Sequence, residues 1–330
     1  MDELDPPLAG LPSPRENTRL IGHEAIIDRF ELMWRAKSMH HAILLTGPRG
    51  IGKATLAYQI AKLVLARASS IEDALPTEHH RQIAQGASQR FRRLARSVSA
   101  DGRVKREIGV DDVRALTPFL RQRTSSGDWK VVLIDAANDL NDASANALLK
   151  IVEEPGERTL FLIVAHGDGS LLATIRSRCL RLMCRPLETN ELSRALEPSD
   201  LSADDTERVL PFARGSVRRA IELVVDGGLD AIEQLDRLLS RPRLGTNDLH
   251  SVVDRVAGRA GEGVFALLCD AVPTALRERS LNATFEDATR LANASGAIER
   301  ELAEREEYGI DRSLSMRTAL QRAHAAVWAG

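Results

Sequence analysis

Three apolar runs of strand length interrupt a chain whose remaining apolar positions recur mostly at helical spacing: residues 42–46 (AILLT), 130–135 (KVVLID) and 159–164 (TLFLIV). Runs this short, rich in branched side chains and without polar alternation, predict strands buried on both faces. Helical periodicity between them makes the expected fold an α/β sheet of parallel strands. Behind the first run, Leu56, Ile60, Leu63 and Val64 share one helix face, and a second helical segment over 143–154 stops at Pro155. Residues 67–108 are polar, Arg-rich and weakly periodic, and read as a helical excursion outside the sheet.

Beyond Pro186 the strand-like runs cease. Helical segments over 187–195, 203–214 and 216–226 end at Gly227 and Gly228, and four or five more follow, with breaks near Pro242, Gly258 to Gly263, Ser280 and Gly309. The expected organisation is a mobile acidic, Pro-rich leader over 1–18, a nucleotide-binding-type domain over 19–186, a small helical domain over 187–228 and a larger helical domain over 229–330.

Charge narrows the partners. The 45 basic and 47 acidic residues in 330 give no overall nucleic-acid footprint, so any DNA contact is regional. The densest basic stretch (Arg90, Arg92, Arg93, Arg96, Arg103, Lys105 and Arg106) reads either as a solvated face or as a surface for DNA phosphates or an acidic partner. Three cysteines, Cys179, Cys184 and Cys269, contain no C-x-x-C pair, which excludes a disulfide framework and a four-ligand zinc site and points to a reducing compartment. No secretory leader pattern or membrane-length apolar run is present, and a cytoplasmic location is expected.

The stretch LLTGPRGIGKAT, residues 44–55, carries the candidate chemistry. Gly47, Gly52 and Lys53 fall at the fixed positions of the phosphate-binding loop G-x-x-x-x-G-K-[ST], with Gly50 between them. Backbone N–H groups and the Lys ammonium hold phosphates in such a loop. Its last position, which supplies a hydroxyl to Mg²⁺, is Ala54, and Thr55 lies one residue late, turned by about 100° on the helix. Weak nucleotide binding and an empty loop both stay open.

Three blocks identify a family: HHAILLTGPRGIGKATLAYQIAKLVL, KVVLIDAANDLNDASANALLKIVEEP and LFLIVAHGDGSLLATIRSRC. In this order and spacing they resemble the bacterial AAA+ clamp-loader subunits of DNA polymerase III, and among them the delta-prime family, over about residues 20–225. The resemblance implies an AAA+ P-loop domain, a small helical lid and an all-helical collar through which five subunits assemble. It also implies partners: the gamma/tau and delta subunits, and, through the complex, a sliding clamp and primed DNA.

Carried over residue by residue, the resemblance makes Asp135 the carboxylate associated with Mg²⁺, although that residue could merely end a strand. Ala136 stands where an active ATPase has its water-activating Glu. His166 falls at the sensor position after the third strand, where an imidazole could contact a phosphate, although a strand-end histidine facing solvent or a neighbouring subunit is the plainer reading. Ser177-Arg178-Cys179 matches the motif that presents an arginine finger to a neighbour's γ-phosphate, here Arg178. Arg218 matches the sensor arginine of the lid helix, or else begins a solvated basic helix. Many family members carry a cysteine-ligated zinc module after the P-loop helix; no cysteine lies there, and His79 with His80 cannot make such a site.

The resemblance thus implies a mainly architectural subunit, neither polymerase nor active ATPase, whose Gly47, Gly50, Gly52, Lys53 and Arg218 form a degenerate site for ATP or ADP, bound weakly or not at all. Two rivals are an active ATPase subunit of the gamma/tau kind and an AAA+ regulator with nucleotide as structural ligand. Ala54 and Ala136 oppose the first, and the NALLK and SRC motifs oppose the second.

Overall fold

The computed structural model describes residues 8–75, 77–98, 103–122, 127–167, 173–258, 261–307 and 310–328; side chains of 305–307 are left aside. Two compact units divide the chain, one up to Arg219 and one from Ala220.

The first unit is built on a five-stranded parallel sheet: β1 (Ala42–Gly47), β2 (Phe91–Leu94), β3 (Lys130–Asp135), β4 (Thr159–His166) and β5 (Leu180–Met183), in the order β2-β3-β4-β1-β5. The three strands expected from their apolar runs are the three central ones. Their side chains alternate between two cores: Ile43, Leu45, Leu133 and Leu162 pack on one face with the helix Lys53–Ala66, whereas Leu44, Ile134, Phe161 and Ile163 meet Leu148 and Val152 of the helix Asp142–Glu153 on the other. Each such side chain, fully withdrawn from water, contributes roughly 1.5–3 kcal/mol. The helix Lys53–Ala66 is buried along nearly its whole length.

The reading of residues 67–108 is corrected in one respect. Two short helices, Ile71–Ala74 and Glu78–Ala84, do occur there, but Phe91–Leu94 then joins the sheet as its edge strand. The strand was hidden by its arginines. Arg92 stacks over the Phe119 ring at 5.0 Å, and Arg93 points to Asp135. The stretch is largely paired within the chain, by Arg90 with Asp128 at 3.0 Å, Arg96 with Asp139 at 3.2 Å and Lys105 with Asp112 at 3.7 Å. The stretch is not one helical face: Arg90, Arg93 and Arg96 are partly buried, whereas Arg92, Arg103, Lys105 and Arg106 are exposed.

Of the expected leader, residues 1–7 lie outside the described residues, while 8–18 lie against the body. The Asn17 carbonyl accepts from Gln59 Nε2 at 2.6 Å, and Asp200 N donates to the Ala9 carbonyl at 2.8 Å. The helices Thr189–Leu196 and Ala203–Val209 follow β5 in this unit.

After the helix Val217–Val225, the regular elements among the second unit's described residues are all helices: Leu229–Ser240, Thr246–Arg255, Glu262–Ser280, Phe285–Glu307 and Arg312–Trp328. The helix ends near Pro242, Gly258 and Ser280 agree with the breaks expected there, whereas Gly263 lies inside the helix Glu262–Ser280 and Gly309 lies outside the described residues. No described helix is long and apolar enough to cross a membrane.

Candidate functional site: a phosphate cradle at the carboxyl end of the sheet

In an open parallel sheet, ligands sit beyond the carboxyl ends of the strands. Here β1, β3 and β4 end at Gly47, Asp135 and His166, and the loop after β1 leads directly into the helix Lys53–Ala66. Gly47, Gly50 and Gly52 adopt φ of 148°, 79° and 97°. Two of them are also places of close approach. A Cβ on Gly47 would strike the Cys184 carbonyl, and one on Gly50 would strike Ser216 Oγ and come 2.5 Å from Arg218 Cβ. The loop is thereby held against the start of the helix Val217–Val225, with Ser216 Oγ donating to the Arg49 carbonyl at 2.9 Å.

A cavity of about 490 Å³ opens beside this loop, within the usual size range of small-ligand sites. Gly50, Gly52, Lys53 and Arg218 line it together with Asp135, Ala136 and His166; Gly47 shapes the loop from behind. Ala54 and Thr55 both reach its wall. Residues of the supposed leader, among them Leu11, Pro12 and Asn17, form part of its other side.

Lys53 Nζ donates to the Gly47 carbonyl at 2.8 Å and also to the Pro48 carbonyl. Burial pushes its ammonium down to about 8, against the opposing pull of the Asp135 carboxylate. His166 belongs to this cluster rather than to a solvent-facing strand end. Burial, then the positive charges of Lys53, Arg49 and Arg218, push its imidazole down to about 4, so it is neutral at physiological pH. Its backbone is clamped by Asn138, whose Oδ1 accepts from His166 N at 2.6 Å and whose Nδ2 donates to His166 O at 2.9 Å, while the buried Nδ1 has no hydrogen-bond partner.

Asp135 does more than end a strand. Its Oδ2 is engaged by Arg93 Nη2 at 3.1 Å, with the two side chains only 13% and 11% exposed. Arg93 is the residue that sequence reasoning missed. The signal was present in the alternation of FRRL, which sends Arg92 and Arg93 to opposite faces of a strand, but a run of charges reads first as a solvated surface.

Arg178 lies apart from the cavity. It follows the short helix Ala173–Arg176, is partly exposed, and pairs through Nε with Glu153 Oε1 at 2.6 Å while Nη1 donates to the Thr174 carbonyl at 3.1 Å. Among the described residues no group of three or more His, Cys, Asp or Glu side chains could hold a metal ion. Burial raises the thiols of Cys179 and Cys184 to about 11, which leaves both protonated and poorly reactive.

The family described as "DNA polymerase III, delta subunit" matches residues 22–188. A DNA polymerase III subunit delta' from Yersinia pestis is 31% identical over 263 residues, which is 71% of this chain and 75% of that protein. The chain belongs to the delta-prime family of DNA polymerase III clamp-loader subunits. DNA polymerase III subunit tau of Escherichia coli strain K12 is 29% identical over 278 residues, 81% of this chain but 42% of that protein. Among solved structures, a DNA polymerase III gamma subunit-related protein from Thermotoga maritima covers 91% of this chain and 99% of its own, at 17% identity and a TM-score of 0.43.

Proposed function

We propose that this chain is a largely architectural subunit of a clamp loader and that its catalytic contribution is made at a neighbour's site. The observation that carries this reading is the separation of the two halves of ATPase chemistry. The chain's own cavity offers Ala54 and Ala136 where a metal ligand and a general base are needed, while Arg178 stands partly exposed outside that cavity. An arginine in such a position is available to a second subunit, where a guanidinium stabilises charge on a transferring phosphoryl group.

The cavity fits ATP or ADP as a binding ligand. Three glycines at positive φ leave the loop free of side-chain bulk, the first turn of the helix Lys53–Ala66 presents its N–H groups, and Lys53 and Arg218 bring positive charge. Bound there, nucleotide would order the cradle; with no base at Ala136, the chain supplies nothing to activate water. The partners of this reading are delta and gamma/tau subunits and, through them, the sliding clamp and primed DNA; membership of a multi-subunit clamp-loader family supports it.

Reconstitution tests the reading. A complex containing this chain loads clamps onto primed DNA, one lacking it does not, and Lys53→Ala in this chain alone leaves the turnover of the complex unchanged. A large loss of turnover with Lys53→Ala would return the chain to the class of working ATPase subunits.

A further inference from the structure

The cavity is unusual in how its carboxylates are used. Among the described residues, seven Lys and Arg side chains line it, including Arg49, Lys53, Arg93 and Arg218, against two carboxylates, Asp135 and Asp139. Each carboxylate is already joined to an arginine of the same chain, Asp135 to Arg93 at 3.1 Å and Asp139 to Arg96 at 3.2 Å. The Arg93–Asp135 pair is the more consequential, because it is largely buried and because Asp135 is the carboxylate on which a metal site here would depend.

Mg²⁺ requires near-octahedral oxygen ligands at about 2.0–2.1 Å and gives up water reluctantly. At this site one oxygen of Asp135 is committed to a guanidinium, the hydroxyl of position 54 is a methyl group, and the surrounding field is strongly positive. A divalent cation would meet repulsion and few ligands. A di- or triphosphate chain would meet the opposite: fixed positive charge at low dielectric, including the Arg93 guanidinium that occupies the carboxylate a metal would need.

We infer that Arg93 takes over the electrostatic role of Mg²⁺ in this cavity, so that the chain binds the phosphates of a nucleoside di- or triphosphate without a metal ion. This rests on the phosphate-cradle reading of the cavity given above. It makes the pocket a metal-independent nucleotide site, and it separates this chain from subunits whose nucleotide arrives and acts as its Mg²⁺ complex.

The test is calorimetric titration of the full chain with ADP, in chelator and in excess Mg²⁺. ADP binds in chelator, Mg²⁺ changes the affinity by no more than about twofold, and Lys53→Ala abolishes binding in both conditions. Asp135→Asn tightens ADP binding in chelator by about threefold or more, because a negative charge leaves the cavity and Arg93 turns to the phosphates. Arg93→Ala weakens binding in chelator by about tenfold, and Mg²⁺ then recovers part of the loss because Asp135 is released. Since Arg93→Ala strands a buried carboxylate, Asp135→Asn is the decisive variant if the former fails to fold. Tightening of the unmodified chain by Mg²⁺ of about tenfold or more, or weakening by Asp135→Asn in chelator, overturns the inference while leaving the phosphate cradle standing. No ADP binding in either condition, or binding untouched by Lys53→Ala, overturns both; the subunit's place in a clamp loader is tested separately by reconstitution.

Discussion

Arg178 Nε lies 2.6 Å from Glu153 Oε1, so the arginine of the SRC motif is held by the glutamate that opens the EEP motif, and both side chains are about two-fifths exposed at 41% and 43%. An ion pair at that exposure contributes about 0–1 kcal/mol. It fixes the guanidinium near the surface in the free chain and yields readily to a more highly charged acceptor. Two sequence motifs read separately, NALLK-EEP and SRC, thus meet in one contact.

Removing that pair therefore leaves the fold intact. Arg178→Ala and Glu153→Gln each shift the unfolding free energy by less than about 1 kcal/mol in urea denaturation of the purified chain. A larger loss for either would show that the pair is structural.

The backbone of the loop sets a second expectation. Gly50→Ala places a Cβ against Ser216 Oγ and Arg218 Cβ at φ 79°, whereas Gly52→Ala at φ 97° meets nothing closer than His23 Nε2 at 3.8 Å. Both substitutions incur backbone strain of about 1–3 kcal/mol, and only the first adds a collision with the helix that carries Arg218. Gly50→Ala is the more destabilising by denaturant midpoint; equal effects would mean that the loop does not rest on that helix as described.

Lys62 provides the pH dependence. Its side chain is fully buried, its ammonium lies 3.4 Å from the Asn17 carbonyl, and burial lowers it to about 8 from 10.5. Below pH 8 it is charged in both native and unfolded chains, and the native state bears the desolvation penalty. Between pH 8 and 10.5 the unfolded chain holds the proton that the native chain has lost, so this group's contribution to stability rises with pH. Lys62→Met accordingly stabilises the chain at pH 7 by on the order of 1 kcal/mol, and the gain shrinks toward pH 10. A gain that grew with pH would contradict the burial argument.

How much of this was legible in the sequence depends on what each residue had to tolerate. The central strands are apolar on both faces, so 42–46, 130–135 and 159–164 announced themselves, as did the glycines and lysine of the loop, whose spacing is dictated by phosphate geometry. Edge strand β2 was illegible because its arginines are satisfied by partners distant in sequence: Asp135 lies 42 residues from Arg93, and Phe119 serves Arg92. For His166 the sequence favoured a strand end facing solvent or a neighbouring subunit over a phosphate contact, because nothing in its own strand reveals that Lys53, Arg49 and Arg218 converge on it. Convergence of that kind is a property of topology, and only the strand order β2-β3-β4-β1-β5 supplies it.

The isolated chain hydrolyses ATP no faster than background, because Ala54 leaves Mg²⁺ without its hydroxyl and Ala136 leaves water without a base. A steady-state phosphate-release assay checks this. Turnover on the order of 1 s⁻¹ that disappears with Lys53→Ala would place the chain among active ATPases.

The central claim, that this subunit acts in catalysis through a neighbour's site, is tested most directly by the ATPase rate of the reconstituted complex carrying Arg178→Ala. The variant complex assembles normally and turns over more slowly in total, with a larger deficit in clamp loading, since the other interfaces keep their own arginines while loading needs the sites together. Arg178→Lys restores little, because an ammonium retains the charge without the planar fork that grips phosphate oxygens. An assembled Arg178→Ala complex that hydrolyses ATP and loads clamps at the unmodified rate would contradict the account.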